Sequence, residues 1–316
     1  MCVFSIVIPC YRSGDWLDEL VSRIEETMTS LSEKFEVILV NDASPDDTWS
    51  AITTLVERHP FLRGIDMLFN TGQNRATLCG LEHARGKWVI IMDDDLQHSP
   101  EEIPLLIDRI RQQPAVDCVM AKFEVKYHSL MRNLGSRFAA RLFTHLYGKP
   151  PGIAASSFRI LSRELVDAIC QHRTATPLVG PLIYMSTQRI ANVAVPHQPR
   201  QAKRSGYSFF GLVGLVAHNY LSVSTFPLRA ISVLGLFSAA ASLCLAVFYL
   251  VQYWSGNVTY PGFMTQVLLI LFFGGMTLVG VGLIGEYLIQ IMREVRQPPR
   301  YAIRTAVGLP DHDQPK

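Results

Sequence analysis

Three consecutive carboxylates, Asp93-Asp94-Asp95, stand directly after the apolar run Trp88 to Met92 (WVIIM), and Leu96-Gln97 follow them. Carboxylates packed this closely repel one another unless positive charge offsets them. A divalent cation shared with a diphosphate would do so, and hard oxygen donors suit Mg²⁺ or Mn²⁺. If the chain stays extended, alternation turns Asp93, Asp95 and Gln97 to one side and leaves Asp94 elsewhere. The competing reading is an acidic turn capping a helix that Pro100 opens. His98, beside the motif, reads as a helix-start or surface residue. A second polar cluster, Asn41-Asp42-Ala43-Ser44, follows the run Phe35 to Val40. Its carboxylate suits a base or ribose edge, or else a turn or helix cap.

These residues need a scaffold that brings strand ends together. Phe4 to Pro9, Phe35 to Val40, Gly64 to Phe69, Trp88 to Met92 and Asp117 to Ala121 read as strands. Asp15 to Leu31, Asp46 to Arg58, Thr77 to Ala84 and Pro100 to Arg111 read as the helices between them. Strand–helix alternation of this kind predicts an α/β fold with a mostly parallel sheet covered on both faces. In such sheets ligands bind outside the carboxyl ends of the strands. Pro9, Asp42 and Asp93 would then share one rim.

The chain has 316 residues, with 49% hydrophobic and 18% charged. A net charge of +2 gives no case for nucleic acid binding. Six cysteines without CxxC spacing argue against a zinc site or a disulfide framework. The opening MCVFSIVIPCY lacks a basic region before its apolar run, so it reads as a buried strand rather than a secretory leader. The N-terminal domain is expected in the cytoplasm.

The last third differs. From Ala230 to Gly285 there is no Asp, Glu, Lys, Arg or His. That length accommodates two spans of about 20 residues, placed near Ala230–Val251 and Phe263–Leu283 around a polar turn, Ser255 to Gly262. Arg229, Arg293, Arg296, Arg300 and Arg304 flank only the outer ends, which predicts both ends on the cytoplasmic side. Tyr249, Tyr253, Trp254 and Tyr260 suit an aromatic belt at the far interface. Tyr127 to Tyr147 is amphipathic and carries Arg132, Arg137 and Arg141, either as a helix packed on the core or as one lying at anionic headgroups. Tyr207 to Phe226 reads as an interfacial helix. The expected layout is a catalytic domain over 1–205, an interfacial helix over 206–228, two spans over 229–285 and a basic tail over 286–316.

The segments IPCY (Ile8–Tyr11), VNDAS (Val40–Ser44), NTGQNRATLCGLEHARG (Asn70–Gly86) and MDDDLQHSPEEIP (Met92–Pro104), in that order, resemble family 2 glycosyltransferases of GT-A fold. With the two apolar spans and GEYLIQIMREVRQPPRY (Gly285–Tyr301), the chain is similar to the polyprenyl-phosphate glycosyltransferases, the group that includes dolichyl-phosphate mannose synthase. The resemblance implies metal-dependent inverting transfer of a glycosyl unit from a nucleotide sugar, expected to be UDP-linked, to a polyprenyl phosphate at the membrane. A homo-oligomer is compatible with it. By position, it implies that Pro9 and Tyr11 line the nucleotide pocket, Asp42 contacts the base, and Asp93 sits near the ribose or donor sugar. It gives Asp95 and Gln97 to the metal and makes Asp93, Asp95 and Arg200 the catalytic set. Arg132, Arg137, Arg159, Arg200 and Ser205 are the expected contacts for the acceptor phosphate.

Three departures stand out. Arg12-Ser13 follow Tyr11 where the family usually has Asn-Glu. Ser205-Gly206-Tyr207-Ser208 lacks the lysine of the family's SKYS loop, with Lys203 and Arg204 nearby. Gly152 to Phe158, just before Arg159, holds no carboxylate where many members carry a proposed base. A lipid monophosphate, with its second pKa near 6, is already ionised and needs no strong base. A sugar-hydroxyl acceptor would need one. A non-catalytic protein that keeps the fold is the other reading these departures leave open.

Overall fold

The computed structural model describes residues 3–123, 148–172, 174, 177–196, 262–296 and 299–309, with isolated positions between 233 and 255. Arg132, Arg137, Arg200, Ser205 and the expected interfacial helix lie outside the described residues, as does most of Ala230–Val251.

The described strands form one eight-stranded sheet. They are β1 (Phe4–Cys10), β2 (Phe35–Asn41), β3 (Leu62–Met67), β4 (Trp88–Ile91), β5 (Cys118–Phe123), β6 (Arg159–Ser162), β7 (Ile190–Val195) and β8 (Ile303–Val307). Their spatial order is β7-β5-β6-β4-β1-β2-β3-β8. β1 pairs in parallel with β2 on one side and β4 on the other, and β2 pairs in parallel with β3. The order of connection therefore reverses beside β1, which opens a crevice at the carboxyl ends of β1 and β4.

Alternation along the strands divides the interior into two cores. Ile6, Ile8, Val37 and Leu39 face one, while Val7, Ile38 and Val40 face the other. Helix α1 (Leu17–Ser30) buries Leu17, Leu20, Val21, Ile24 and Met28 in the first core, the 3.6-residue spacing of an amphipathic helix. Helices α2 (Thr48–Arg58) and α4 (Ile103–Gln112) join it there. Helix α3 (Gln73–His83) covers the second core with α5 (Arg163–Gln171) and α6 (Val179–Ser186). Gly80 lets α3 lie flush on β1 and β2: a Cβ there would come within 2.4 Å of Val7 Cγ1. That close approach sets the N-terminus of α3 at the strand ends. α3 begins at Gln73, ahead of the expected Thr77, because Gly72 turns the chain into it at φ +89°.

Beyond β5 the sheet becomes mixed. β6 runs antiparallel to both β4 and β5. β6 has four residues, too few for a periodic pattern to mark it. The C-terminal segment also corrects the expectation of a simple basic tail. β8 pairs antiparallel with β3 and covers an edge that would otherwise present unpaired backbone groups. Tyr301, Ile303 and Ala306 pack on the second core. Residues 1–205 and 297–316 accordingly form one compact unit, and 206–296 another.

In the second unit, helix α7 (Phe263–Arg296) runs for 34 residues, about 51 Å at 1.5 Å per residue. It contains the expected Phe263–Leu283 span and continues past it. Its window Phe272–Ile289 has a mean hydropathy of 1.6 and is long and apolar enough to cross a membrane. Large apolar side chains along it, such as Ile270, Phe272 and Val279, are exposed within the chain.

Candidate active site

The carboxyl ends of β1, β2 and β4 surround a cavity of about 410 Å³. Pro9 and Tyr11 enter from β1, Asp42 from β2 and Asp93, Asp94 and Asp95 from β4, with Asn70, Gly72 and Gln73 closing one side. Five of the six residues named from the sequence for nucleotide and catalysis, Pro9, Tyr11, Asp42, Asp93 and Asp95, thus meet in one place, and the sixth, Arg200, lies outside the described residues.

Asp42 is buried, and its backbone N–H bonds to the Cys10 carbonyl at 3.0 Å. Its carboxylate accepts from Thr71 N (2.7 Å), Thr71 Oγ1 (3.2 Å) and Gly72 N (2.8 Å). In this arrangement the carboxylate holds the turn into α3. That turn delivers Gln73, whose Nε2 donates to Asp93 Oδ1 at 2.5 Å. The other Asp93 oxygen accepts from Ser157 Oγ at 2.7 Å. Two donors from separate elements therefore fix the orientation of the Asp93 carboxylate.

The extended-chain alternation expected for the acidic motif does not hold. β4 ends at Ile91 and the chain bends from Asp94 onward, with Leu96 further along at φ +56°, so the motif curls instead of alternating. Asp94 consequently lines the cavity rather than pointing elsewhere. Its Oδ2 accepts from Tyr11 N at 3.1 Å, and its carbonyl accepts from Trp16 Nε1 at 2.6 Å. Burial, with help from the neighbouring Asp95 and Asp93, pushes its carboxyl up to about 6, although the Tyr11 amide opposes this. His98 is likewise not a surface residue: it is buried, stacked on Phe158 at 5.2 Å with a 15° interplanar angle. Asp93 N donates to His98 Nδ1 at 3.3 Å, which makes Nδ1 an acceptor. Burial lowers the pKa of the ring, against the pull of Asp93 and Asp95.

Asp95 is exposed, and its carboxylate meets Gln97 through the backbone N–H (3.1 Å) and Nε2 (2.5 Å). Among the described residues no group of three or more His, Cys, Asp or Glu side chains gathers to hold a cation. The available donors are one exposed carboxylate and a neighbouring amide. Mg²⁺ characteristically takes one or two carboxylates and completes its shell with water and substrate phosphate. The residues fit a cation shared with a diphosphate, not a cage made by the protein alone.

Arg159 opens β6 and is buried, with its Nε unpartnered among the described residues. Burial lowers its pKa, and Cys118, Tyr184 and Asp93 oppose that shift. It does not stand on an open surface. Tyr11 is exposed, and the Arg12 guanidinium lies 5.5 Å from the centre of its ring, within cation–π range. Gln73 and Ser157 were missed as site residues. Gln73 sits inside the segment Asn70–Gly86, where a glycine before a helix start was the available signal. Ser157 had none beyond its place before Arg159.

A family model described as "Glycosyl transferase family 2" matches residues 5–170. The undecaprenyl-phosphate 4-deoxy-4-formamido-L-arabinose transferase of Klebsiella pneumoniae (strain 342) is 30% identical over 314 residues, 97% of this chain and 94% of that protein. The protein of the same name from Proteus mirabilis (strain HI4320) is 30% identical, covering 96% and 94%. Among solved structures, glucosyl-3-phosphoglycerate synthase from Mycobacterium tuberculosis, in complex with Mn²⁺, UDP-glucose and phosphoglyceric acid, superposes with a TM-score of 0.50 at 14% identity. That match covers 70% of this chain and 78% of the other. Mannosyl-3-phosphoglycerate synthase from Rubrobacter xylanophilus gives 0.50 at 16%, covering 69% and 74%. These two likenesses concern the fold, a GT-A-like sheet of the same kind. With more than half its length matched by the family model, and with near-full-length relatives named as transferases, this chain belongs to glycosyl transferase family 2 and is a glycosyltransferase.

Proposed function

We propose that this glycosyltransferase moves a glycosyl unit from a nucleotide sugar, UDP-linked, to a polyprenyl phosphate at the cytoplasmic face of a membrane, by single displacement with inversion. The observation that carries the reading is the acidic cluster facing a cavity of about 410 Å³ at the switch point beside β1. Relatives 30% identical over nearly the whole chain are named for transfer to undecaprenyl phosphate, which supports the acceptor class.

In this reading the nucleotide lies against Pro9, Tyr11 and the Asp42 turn. Asp95 and Gln97 would hold Mg²⁺ or Mn²⁺, which supplies positive charge to the departing nucleoside diphosphate. Asp93, clamped by Gln73 and Ser157, faces the donor sugar in one fixed orientation and does not need to reorganise. The acceptor phosphate is largely dianionic at neutral pH, so it attacks the anomeric carbon without a strong base. That agrees with a hydroxyl, Ser157, in a stretch without carboxylates. The acceptor's charge falls to arginines, Arg132, Arg137 and Arg200, and to Ser205, whereas Arg159 is buried and offers no open face to a lipid phosphate.

The sheet also bears on topology. β3 and β8 are neighbours in one sheet, so the chain between them crosses a membrane an even number of times or not at all. A crossing by α7 therefore calls for a second, and Ala230–Val251 is the apolar stretch that supplies it. Both flanking segments then lie on the cytoplasmic side, where arginines accumulate.

The test is to incubate membranes carrying the protein with a panel of radiolabelled nucleotide sugars and polyprenyl phosphate, then to extract with organic solvent. The reading expects label in an acid-labile lipid. Label found only in a water-soluble or polymeric product would contradict it.

A further inference from the structure

We propose that Arg304, on the C-terminal strand, is a positioning residue for nucleotide binding; the inference rests on the cavity beside β1 being the nucleotide site. The β3–β8 register shifts between Asp66 and Met67, and Arg304 Nη1 lies 3.3 Å from Asp66 Oδ2. Asp66 is 2% exposed, so its charge needs a partner. Its other oxygen accepts from Asn41 Nδ2 at 2.7 Å. Asn41 Oδ1 in turn accepts from Ser44 N at 3.3 Å, and Ser44 Oγ accepts from Arg12 N at 3.1 Å.

This relay ends on the two turns that flank the cavity. Both carry a residue in the left-handed region, Arg12 at φ +58° and Ala43 at φ +48°. Non-glycine residues hold that conformation only where their surroundings determine it. The Asn41 and Ser44 bonds are such surroundings, and Arg304 fixes which way the Asn41 amide faces by holding Asp66. Arg304 reaches the cavity by a second route as well. Its Nη2 donates to the Leu68 carbonyl at 2.9 Å, at the head of the loop whose Thr71 and Gly72 amides bind Asp42. A strand from the far end of the sequence thus braces β2 and β3 where they meet the nucleotide site.

The experiment measures nucleoside diphosphate binding by the full-length protein in detergent. UDP, GDP, CDP and dTDP are tested on the wild type, and the tightest is carried forward. Arg304→Met should bind it about fivefold more weakly, Arg304→Lys about twofold, the size of one or two polar contacts. The kcat at saturating donor should change less than about twofold, because the contacts concern binding. Asn41→Ala should weaken binding similarly, and the Arg304→Met/Asn41→Ala double variant should bind no worse than the poorer single, as members of one relay couple. Arg300→Met is the control: Arg300, three residues before β8, ties the segment leading into that strand to Glu82 and to the Cys170 carbonyl, through bonds that do not include Asp66. It should lower the thermal midpoint and leave nucleotide affinity within about twofold. Equal affinity losses in Arg300→Met and Arg304→Met, additive losses in the double variant, or unchanged affinity in Arg304→Met would overturn the proposal. A wild type that binds none of the four nucleotides would overturn the functional reading itself, and the inference with it.

Discussion

Gln73 Nε2 lies 2.5 Å from Asp93 Oδ1, so the first residue of α3 is bonded to the acidic motif that follows β4. Ser157 closes the other side of the same carboxylate at 2.7 Å. Hydrogen bonds to a charged group contribute about 1.5–3 kcal/mol each. Gln73→Ala and Ser157→Ala should therefore each lower kcat/KM by roughly tenfold or more, and the double variant by less than the product of the two. Steady-state kinetics with varied donor checks this. Unchanged kcat/KM in both single variants would mean that Asp93 needs no clamp.

Glu102 is buried, and its Oε2 is without a partner among the described residues. Burial, then the charge of Glu101, raises its carboxyl from 4.5 to about 7. Between those values the folded protein holds a proton that the unfolded chain releases, so stability falls as pH rises through the window. Above pH 7 the ionised carboxylate destabilises the fold in full. Glu102→Gln should accordingly be more stable than wild type at pH 8, with the difference shrinking towards zero near pH 4.5. Denaturation curves at both pH values test the sign.

Gly80 marks the contact that seats α3. A Cβ there would meet Val7 Cγ1 at 2.4 Å and Val40 Cγ2 at 3.2 Å, both in the second core. Gly80→Ala gains helix propensity but overpacks the helix–sheet interface, and the second effect is larger. A net loss of about 2 kcal/mol is expected, lowering the thermal midpoint by about 5 °C. A midpoint at or above wild type would show that α3 can lift without cost.

The parallel half of the sheet was legible because strands buried on both faces have to be apolar throughout. Phe4 to Pro9, Phe35 to Val40 and Trp88 to Met92 announce β1, β2 and β4, and once those are parallel their carboxyl ends place Pro9, Asp42 and Asp93 on one rim. What escaped the sequence depended on backbone angles or long-range pairing. Alternation would turn Asp94 away from the site, but β4 ends at Ile91 and the chain bends from Asp94 onward. His98 read as a surface residue because its burial comes from Phe158, sixty residues onward. β8 could not be recognised from IRTAV alone, since its reason for existing is the open edge of β3. Arg304, read as a charge flanking a membrane span, holds the buried Asp66 as well.

The central claim is that Asp95 shares a divalent cation with a nucleoside diphosphate whose sugar leaves for a lipid phosphate. The direct measurement is label transfer from the nucleotide sugar to organic-extractable lipid by the purified full-length protein, with Mg²⁺ or Mn²⁺, with excess chelator, and in the Asp95→Ala variant. The account predicts transfer with the metal, its loss in chelator, and its loss in Asp95→Ala while that variant keeps its thermal midpoint. Transfer undiminished by chelator or by Asp95→Ala would contradict it.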